Sequence, residues 1–178
     1  MRRIFLLFLI IIAAPAVFAQ YKPVDQANSV QFTIENFGFD VSGSFKGGLQ
    51  GTIDFDPQKP EGAHFNVNID ANSINTDNSL RDDHLRGESY FDIKKYPRIQ
   101  IESVKVRAST KAGSYTLLAK LTIKSTSQNI LIPFTATPLT DGYQFTGTFS
   151  IKRKDFDVGG TSTISNELQV SLNIIAKK

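Results

Sequence analysis

Residues 115–123 read YTLLAKLTI, and the alternation in this stretch is the strongest indication of the fold class. Apolar side chains recur at every second position, which is typical of a β-strand with one buried face. The same period recurs along the chain, so we predict an all-β protein. The recurring positions are Val30, Phe32 and Ile34; Phe37, Phe39 and Val41; Leu49, Gly51, Ile53 and Phe55; Phe65, Val67 and Ile69; Ile99 and Ile101; Val104 and Val106; Ile130, Ile132 and Phe134; Tyr143, Phe145, Gly147, Phe149 and Ile151; and Leu168, Val170, Leu172 and Ile174.

Turn signals separate these runs. They are Gly47-Gly48, Asp56-Pro57, Lys111-Ala112-Gly113, Asp141-Gly142 and Gly159-Gly160. An Asp-Gly pair between two alternating runs is a strong hairpin signal. About eight or nine antiparallel strands at this spacing predict a sandwich or a closed barrel. The alternation slips by one residue before Phe37 and again before Val104, and we expect a bulge or bend at each place.

Residues 76–97 interrupt the β pattern. Ser79 followed by Asp82 resembles a capping box, and Arg86-Gly87 has the composition of a helix end, so we predict a short helix over Leu80–Arg86. Ser89 with Asp92 repeats the capping signal and predicts one further turn that Pro97 ends. A short helical insertion of this kind is well placed to cap one end of a barrel.

The first 19 residues have the pattern of a secretory signal peptide. Arg2-Arg3 precedes an apolar run over residues 4–14, and small residues lead to Ala19. We therefore expect cleavage near Ala19, a periplasmic or secreted location, and a single domain over residues 20–178. No second apolar run is long enough for a transmembrane helix.

Charge and cysteine content exclude several classes of protein. Loss of Arg2 and Arg3 with the signal reduces the formal net charge from +3 to +1, and nucleic acid is then not an expected partner. The chain has no cysteine, which excludes disulfides, thiolate zinc sites and thiol catalysis. A homo-oligomer stays open at this stage.

No catalytic or cofactor motif stands out. The two histidines, His64 and His84, have no clear ligand or triad partners, and G-x-S-x-G is absent. Gly159-Gly160 is not followed by a Walker lysine, and the carboxylates are scattered. We interpret the basic triplet 152–154 as a solvated turn rather than an anion site. The sequence therefore predicts no enzyme, no cofactor and no metal.

The apolar faces leave two interpretations open. Gly51, Ala119, Ala136 and Gly147 interrupt otherwise bulky inward rows. The missing volume could leave a cavity for a small ligand, as eight-stranded barrels permit, or could relieve crowding where the sheet bends. Residue patterns alone favour neither.

Several stretches together resemble the YceI-like family of exported polyisoprenoid-binding proteins, across essentially the whole mature chain. The specific block comprises Ser73-Ile74-Asn75-Thr76, Leu80-Arg81-Asp82-Asp83-His84-Leu85-Arg86, Tyr90-Phe91-Asp92 and Lys95-Tyr96-Pro97. Further matches are Ser29-Val30-Gln31-Phe32, Phe37-Gly38-Phe39, Val41-Ser42-Gly43-Ser44-Phe45, residues 51–56, Leu121-Thr122-Ile123, Arg153-Lys154-Asp155-Phe156 and Val158-Gly159. The chain departs from the family pattern at four positions. The family often has His where this chain has Asn28 and Asn36, and His-Gly where this chain has Lys124-Ser125.

The resemblance implies an extended, lipocalin-like antiparallel barrel of about eight strands with a long-chain isoprenoid or fatty-acid-like lipid in its lumen. Such a protein would carry, store or sequester the lipid. A barrel without a ligand, with a structural or protein-interaction role, and a hydrolase with an unrecognised site are the alternatives. We expect Arg81 and Arg86 near a polar head group, or paired with Asp82 and Asp83 on the helix surface. The expected lumen contacts are Phe32, Phe39, Phe45, Phe55, Phe134, Phe145 and Phe149.

Overall fold

The structure, a computed structural model, describes residues 19–25, 29–161 and 163–178. Residues 1–18 of the predicted signal peptide lie outside these ranges, as does Asn28. Eleven strands and one α-helix are described: β1 (Gln20–Pro23), β2 (Ser29–Asn36), β3 (Phe39–Phe45), β4 (Gln50–Asp54), β5 (His64–Asp70), β6 (Ile74–Asn75), α1 (Ser79–Arg86), β7 (Arg98–Ala108), β8 (Ser114–Ile123), β9 (Thr126–Leu139), β10 (Gly142–Lys152) and β11 (Ile164–Lys177).

The strands form a closed antiparallel barrel, which confirms the predicted fold class and decides between sandwich and barrel. Eight strands make the ring, in the order β1-β4-β5-β7-β8-β9-β10-β11, and a pairing of β1 with β11 closes it. Strands β2, β3 and β6 continue from β11 as a branch. All of these pairings are antiparallel.

Strand β11 explains how the ring and the branch coexist. Its C-terminal end pairs with β1, where Lys177 lies opposite Lys22, while Val170 and its neighbours pair with β2. Strands β1 and β2 therefore follow each other along one edge of β11. Because this edge is occupied over most of its length, the sheet has few open backbone groups there.

The two slips in alternation have different causes. Between Ser103 and Lys105 the register of β7 with β8 shifts, which confirms a bulge at Val104. The slip before Phe37 is a tight hairpin turn instead, because Asn36 pairs with Phe39 and the two residues between them have positive φ angles of 52° and 79°. A two-residue turn of this sign matches the twist of the flanking strands.

The other hairpins also differ in detail from the sequence signals. The turn between β9 and β10 is at Thr140-Asp141, one residue before the predicted pair, since Leu139 lies opposite Gly142. A further two-residue turn, which the sequence analysis did not recognise, joins β8 to β9 at Lys124-Ser125. Lys124 has a positive φ of 55° in this turn.

The insertion contains the predicted helix, one residue longer at its start. The N-cap is Asn78 rather than Ser79, because the Asn78 side chain accepts a hydrogen bond from the backbone N–H of Arg81. The segment around Ser89 and Asp92 forms hydrogen-bonded turns and no helix, so the second capping signal was misleading.

The glycines at inward positions relieve crowding. A Cβ on Gly51 would collide with the backbone carbonyl of Asn66, and one on Gly147 would lie 2.6 Å from the carbonyl oxygen of Pro133. Ala119 and Ala136 belong to the packed core of the barrel, and Ala119 lies on β8 between Leu117 and Leu121, which both line the cavity described below. The two glycines therefore allow close strand contact, and Gly147 also lines the cavity.

Candidate functional site

The barrel encloses an apolar cavity of about 250 Å³. Strands β7, β8, β10 and β11 and the insertion all contribute to its wall, and most of the lining side chains are apolar. One end of the barrel carries the insertion, the 36–39 turn, the 124–125 turn and residues 153–164, and we call it the insertion end. The charged side chains in the described lining, Arg81 and Arg153, both lie at this end.

Most of the predicted lumen residues lie on this wall. Alternation places their side chains on the inner face of β2, β3, β9 and β10. The residues in question are Phe32, Phe45, Phe134, Phe145, Phe149 and, from α1, Arg81. The prediction that they contact a ligand stays a prediction.

Two predicted lumen residues lie elsewhere, and their placement is corrected. Phe39 is 75% exposed: it shares a strand face with Val41, which lines the cavity, but it lies at the hairpin tip beside the Phe37-Gly38 turn, beyond the lining. Phe55 is inside the barrel and 1% exposed, but it is part of the packed core below the cavity and not of its lining.

A hydrogen-bonded cluster joins α1 to the segment before it. The buried carboxylate of Asp82 accepts hydrogen bonds from the backbone N–H of Thr76 at 2.9 Å and from its hydroxyl at 2.6 Å. Arg81 donates from Nε to the Thr76 hydroxyl at 2.7 Å and from Nη2 to the Thr76 carbonyl at 2.6 Å. The guanidinium is thereby held at the cavity wall, and within the described residues no carboxylate lies within 4.0 Å of it.

Arg86 has a structural position instead. Its Nε and Nη2 donate to the carbonyls of Asn72 and Ile74 at 3.1 and 2.9 Å, and Nη1 contacts the Asp83 carboxylate at 3.0 Å. Arg86 is not part of the cavity lining. It ties α1 to the chain that leads into it, which is the helix-surface pairing that the sequence analysis had left open.

Arg153 is the residue that the sequence analysis missed. The basic triplet 152–154 was predicted to be a solvated turn. Lys152 and Lys154 are exposed, but Arg153 is buried, with 5% of its surface exposed. Its guanidinium donates to several backbone carbonyls, including those of Val158, Ser165 and Ile164 at 2.9, 2.9 and 3.0 Å, and also to Gly159. Arginine can satisfy so many acceptors because its five donors spread in a plane. Arg153 thus organises the chain that joins β10 to β11 beside the cavity.

The closed barrel, the apolar cavity and the insertion agree with one family. The chain matches the YceI-like domain over residues 21–176. This chain belongs to the YceI-like domain family. The match extends over almost all of the described strands.

Several solved structures are similar to this YceI-like chain. BcnA of Burkholderia cenocepacia has a TM-score of 0.79 and 25% identity, covering 84% of this chain and 96% of that one. The Campylobacter jejuni YCEI protein has a TM-score of 0.69 and 28% identity, covering 78% and 85%. A polyisoprenoid binding domain from Saccharophagus degradans has a TM-score of 0.70 at 16% identity, covering 88% and 97%, and so shares the fold.

Sequence relatives include a UPF0312 protein of Yersinia pestis, 29% identical over 173 residues, which cover 91% of this chain and 88% of the relative. A UPF0312 protein of Yersinia enterocolitica is 28% identical over the same length and shares. Both alignments extend over nearly the whole of each protein, so the likeness concerns the entire barrel.

Three of the positions that depart from the family pattern, Asn36, Lys124 and Ser125, lie at the insertion end of this YceI-like barrel, and Asn28 lies outside the described residues. Lys124 donates from Nζ to the carbonyls of Asp157 at 2.9 Å and Glu88 at 3.4 Å, and so links the β8–β9 turn to the insertion. Asn36 lines the cavity and accepts a hydrogen bond from the Thr163 hydroxyl at 3.2 Å. Ser125 is exposed.

The histidines stand apart from any cluster that suggests metal binding. His64 is exposed at the start of β5, and His84 packs against Tyr90 with ring centroids 5.0 Å apart. Within the described ranges, no group of three His, Asp or Glu side chains is arranged to hold a metal ion. In the same ranges, no helix has the length and apolar character needed to cross a bilayer.

Among the described residues, the pKa values of Tyr21, Tyr115 and Lys95 are raised above their usual values. Burial, with smaller contributions from Tyr143 and Asp56, raises the pKa of Tyr21 and of Tyr115 above 10.0. At the insertion end, Asp92 and then Glu88 raise the pKa of the exposed Lys95, whose Nζ lies 3.5 and 3.6 Å from their carboxylates. Such exposed ion pairs add little to stability.

Proposed function

We propose that this YceI-like protein is an exported lipid-binding protein that holds a long-chain isoprenoid or fatty-acid-like lipid in its barrel. It acts by binding, without chemical turnover, and so carries, stores or sequesters the lipid. The observation that carries the proposal is the apolar cavity of about 250 Å³ inside a closed barrel. An apolar chain is the ligand chemistry that such a wall accommodates.

The binding free energy comes mainly from removal of the chain from water. Each methylene group transferred from water into the cavity contributes about 0.8 kcal/mol. Ordering of the flexible chain offsets part of this gain, so affinity rises with chain length less steeply than the transfer term alone. Phe32, Phe45 and Phe149, with other aromatic side chains of the wall, supply large apolar contact surfaces.

Arg81 is the proposed contact for the polar head. The Thr76–Asp82 cluster fixes the guanidinium at the insertion end, and the described residues leave its Nη1 without a hydrogen-bond partner. A carboxylate, phosphate or hydroxyl head group can accept a hydrogen bond there. The ligand would then lie with its head near α1 and its tail towards the opposite end.

The similarity to solved proteins supports the same ligand class. One fold neighbour is described as a polyisoprenoid binding domain. The signal-like pattern in residues 1–19 supports export, which would place the protein in the periplasm or outside the cell.

Solvent extraction of the protein purified from its native host, followed by mass spectrometry, tests the proposal. We expect a single class of long-chain amphiphile at a ratio near one per chain. Repeated absence of any apolar molecule would contradict the proposal and favour a barrel without a ligand. Extraction under native and denaturing conditions separates an enclosed lipid from one that adheres to the surface.

A matched pair of variants shows whether the lipid lies in the cavity. Val170 lines the cavity on β11, opposite Phe149 and Phe32, whereas its neighbour Gln169 is exposed on the other face. Val170→Phe should fill the lumen and reduce the bound lipid at least tenfold. Gln169→Phe adds the same ring outside and should leave the lipid unchanged; equal effects would place the lipid elsewhere.

A further inference from the structure

The cavity stops before it reaches the far end of the barrel, and it stops on several strands. On β8 the lining ends at Leu117. The next inward residue in the direction away from the insertion end is Tyr115, which belongs to the packed core. On β10 the lining ends at Phe145, and Tyr143 follows. On β11 it ends at Ile174, with the fully buried Ala176 beyond it.

Four aromatic residues close the space beyond these positions, and we call them the aromatic floor: Tyr21, Phe55, Tyr115 and Tyr143. Phe55 is at the centre and is 1% exposed. Its ring centroid lies 5.2 Å from that of Tyr115 and 5.2 Å from that of Tyr143, with nearly perpendicular planes. Tyr21 meets Tyr143 in the same way at 5.4 Å.

Edge-to-face packing of this kind is a stable arrangement, and because Phe55, Tyr21 and Tyr115 are also buried, we infer that the floor is closed. Phe55 also contacts three phenylalanines of the wall, Phe65 at 6.3 Å, Phe134 at 6.3 Å and Phe145 at 5.3 Å. The floor and the wall are therefore one packed unit, and a bound chain cannot extend past it without displacing Phe55.

The length of the lumen follows from the strands that line it. On β10 the lining runs from Phe145 to Ile151, and Arg153, directly after the end of the strand, continues it. Eight residue steps at about 3.3 Å each give about 26 Å along the strand, or about 20 Å along the barrel axis after the usual strand tilt. An extended carbon chain advances about 1.3 Å per bond, since single bonds of about 1.5 Å meet at tetrahedral angles.

We propose that the aromatic floor limits the barrel to chains of about 16 main-chain carbons, which is about four isoprene units. Longer chains leave their excess outside the insertion end. Phe55 is the residue that determines this length. The proposal rests on the lipid-binding function proposed above, and it concerns which chains fit rather than whether a chain binds.

A series of prenyl alcohols tests the limit. Geraniol, farnesol, geranylgeraniol and geranylfarnesol have two, three, four and five isoprene units and share one head group. Each would be titrated against delipidated protein from a common cyclodextrin carrier. Affinity relative to the carrier should rise at least tenfold with each unit up to four, and by less than threefold from four to five.

Two variants of equal burial separate the floor from general stability. Phe55→Ala removes the centre of the floor, whereas Phe156→Ala removes an equally buried ring, also 1% exposed, that packs at the insertion end outside the lining. The ratio of geranylfarnesol to geranylgeraniol affinity should rise at least tenfold in Phe55→Ala and stay unchanged in Phe156→Ala. Tyr143→Ala, at a half-buried site, serves the same purpose if Phe55→Ala does not fold.

The outcomes distinguish the two proposals. An equal gain from three to four and from four to five units in the wild type would overturn the length limit and leave lipid binding intact. A limit at four units that neither floor variant moves would overturn the role of the floor. Absence of binding for all four alcohols would count against the lipid-binding function itself.

Discussion

The hydroxyl of Thr76 donates to the Asp82 carboxylate at 2.6 Å and accepts from Arg81 Nε at 2.7 Å. Thr76 is 5% exposed and Asp82 is 4% exposed. One threonine thus links a buried carboxylate to the cation at the cavity wall. A charged group buried this deeply is stable only because its hydrogen bonds replace those it made with water.

Removal of the carboxylate should therefore destabilise the whole insertion. Asp82→Ala leaves the buried N–H of Thr76 without an acceptor, and we expect the free energy of unfolding to fall by about 2–4 kcal/mol. Urea denaturation measures this loss. Asp83→Ala is the control, because Asp83 is 75% exposed on its side chain and its ion pair with Arg86 is worth less than about 1 kcal/mol. Similar losses in both variants would mean that Asp82 has no special structural role.

Arg153 offers a second test at the insertion end. Arg153→Lys keeps the charge but has fewer donors for the carbonyls of Val158, Ser165 and Ile164, and several of them would stay unsatisfied. We expect a loss of about 2–4 kcal/mol in unfolding free energy. Hydrogen exchange should accelerate in residues 157–161 and less elsewhere. The exposed neighbour gives the control, since Lys154→Ala should change stability by less than about 0.5 kcal/mol.

The sequence predicted the fold well because alternation reports directly on which face of a strand is buried. It could not separate a bulge from a tight turn, since both shift the alternation by one residue. The bulge at Val104 and the turn at Phe37-Gly38 look alike in sequence, and only the structure shows that the second leaves Phe39 exposed at a hairpin tip. A phenylalanine at positive φ is also an unusual turn residue, which hid the signal.

The sequence also could not predict how far along the barrel axis each inward side chain lies. Alternation places both Phe55 and Phe145 inside, but only the structure shows that one belongs to the floor and the other to the wall. Arg153 was missed for a different reason. Its partners are backbone carbonyls of residues 158–165, which come close to Arg153 only in the folded chain. Every residue type has a backbone carbonyl, so the sequence of this segment does not indicate that an arginine binds there.

Tyr21 and Tyr115 of the aromatic floor should lose their phenol protons only at a pH above the usual range. Burial raises the pKa of Tyr21 and Tyr115, so the folded state holds these protons while the unfolded state releases them near pH 10.0. Stability is then complete below pH 10.0 and falls as the pH rises from 10.0 through the raised pKa of the folded protein. Absorbance titration of the phenolates measures the effect. Tyr21→Phe and Tyr115→Phe should each remove a late-titrating group, whereas an unchanged titration curve would contradict the assignment.

The last prediction concerns the polar head. Arg81 lies at the cavity wall with Nη1 unpaired within the described residues, whereas Arg86 is outside the lining and engaged with Asn72, Ile74 and Asp83. Arg81→Gln should weaken binding of palmitic acid at neutral pH by about 10–100-fold, because a charge-assisted hydrogen bond contributes about 1.5–3 kcal/mol. Binding of hexadecanol, which has the same chain length but no charge, should change by less than threefold.

Arg86→Gln is the matched control, since it removes the same charge from the same helix away from the cavity. It should lower stability yet leave the ratio of palmitic acid to hexadecanol affinity at the wild-type value. A fall in that ratio for Arg86→Gln as large as for Arg81→Gln would place the head group at the outer face of α1. An unchanged ratio in both variants would mean that neither arginine meets the head, and the polar contact would then have to be sought at the Asn36 side of the insertion end.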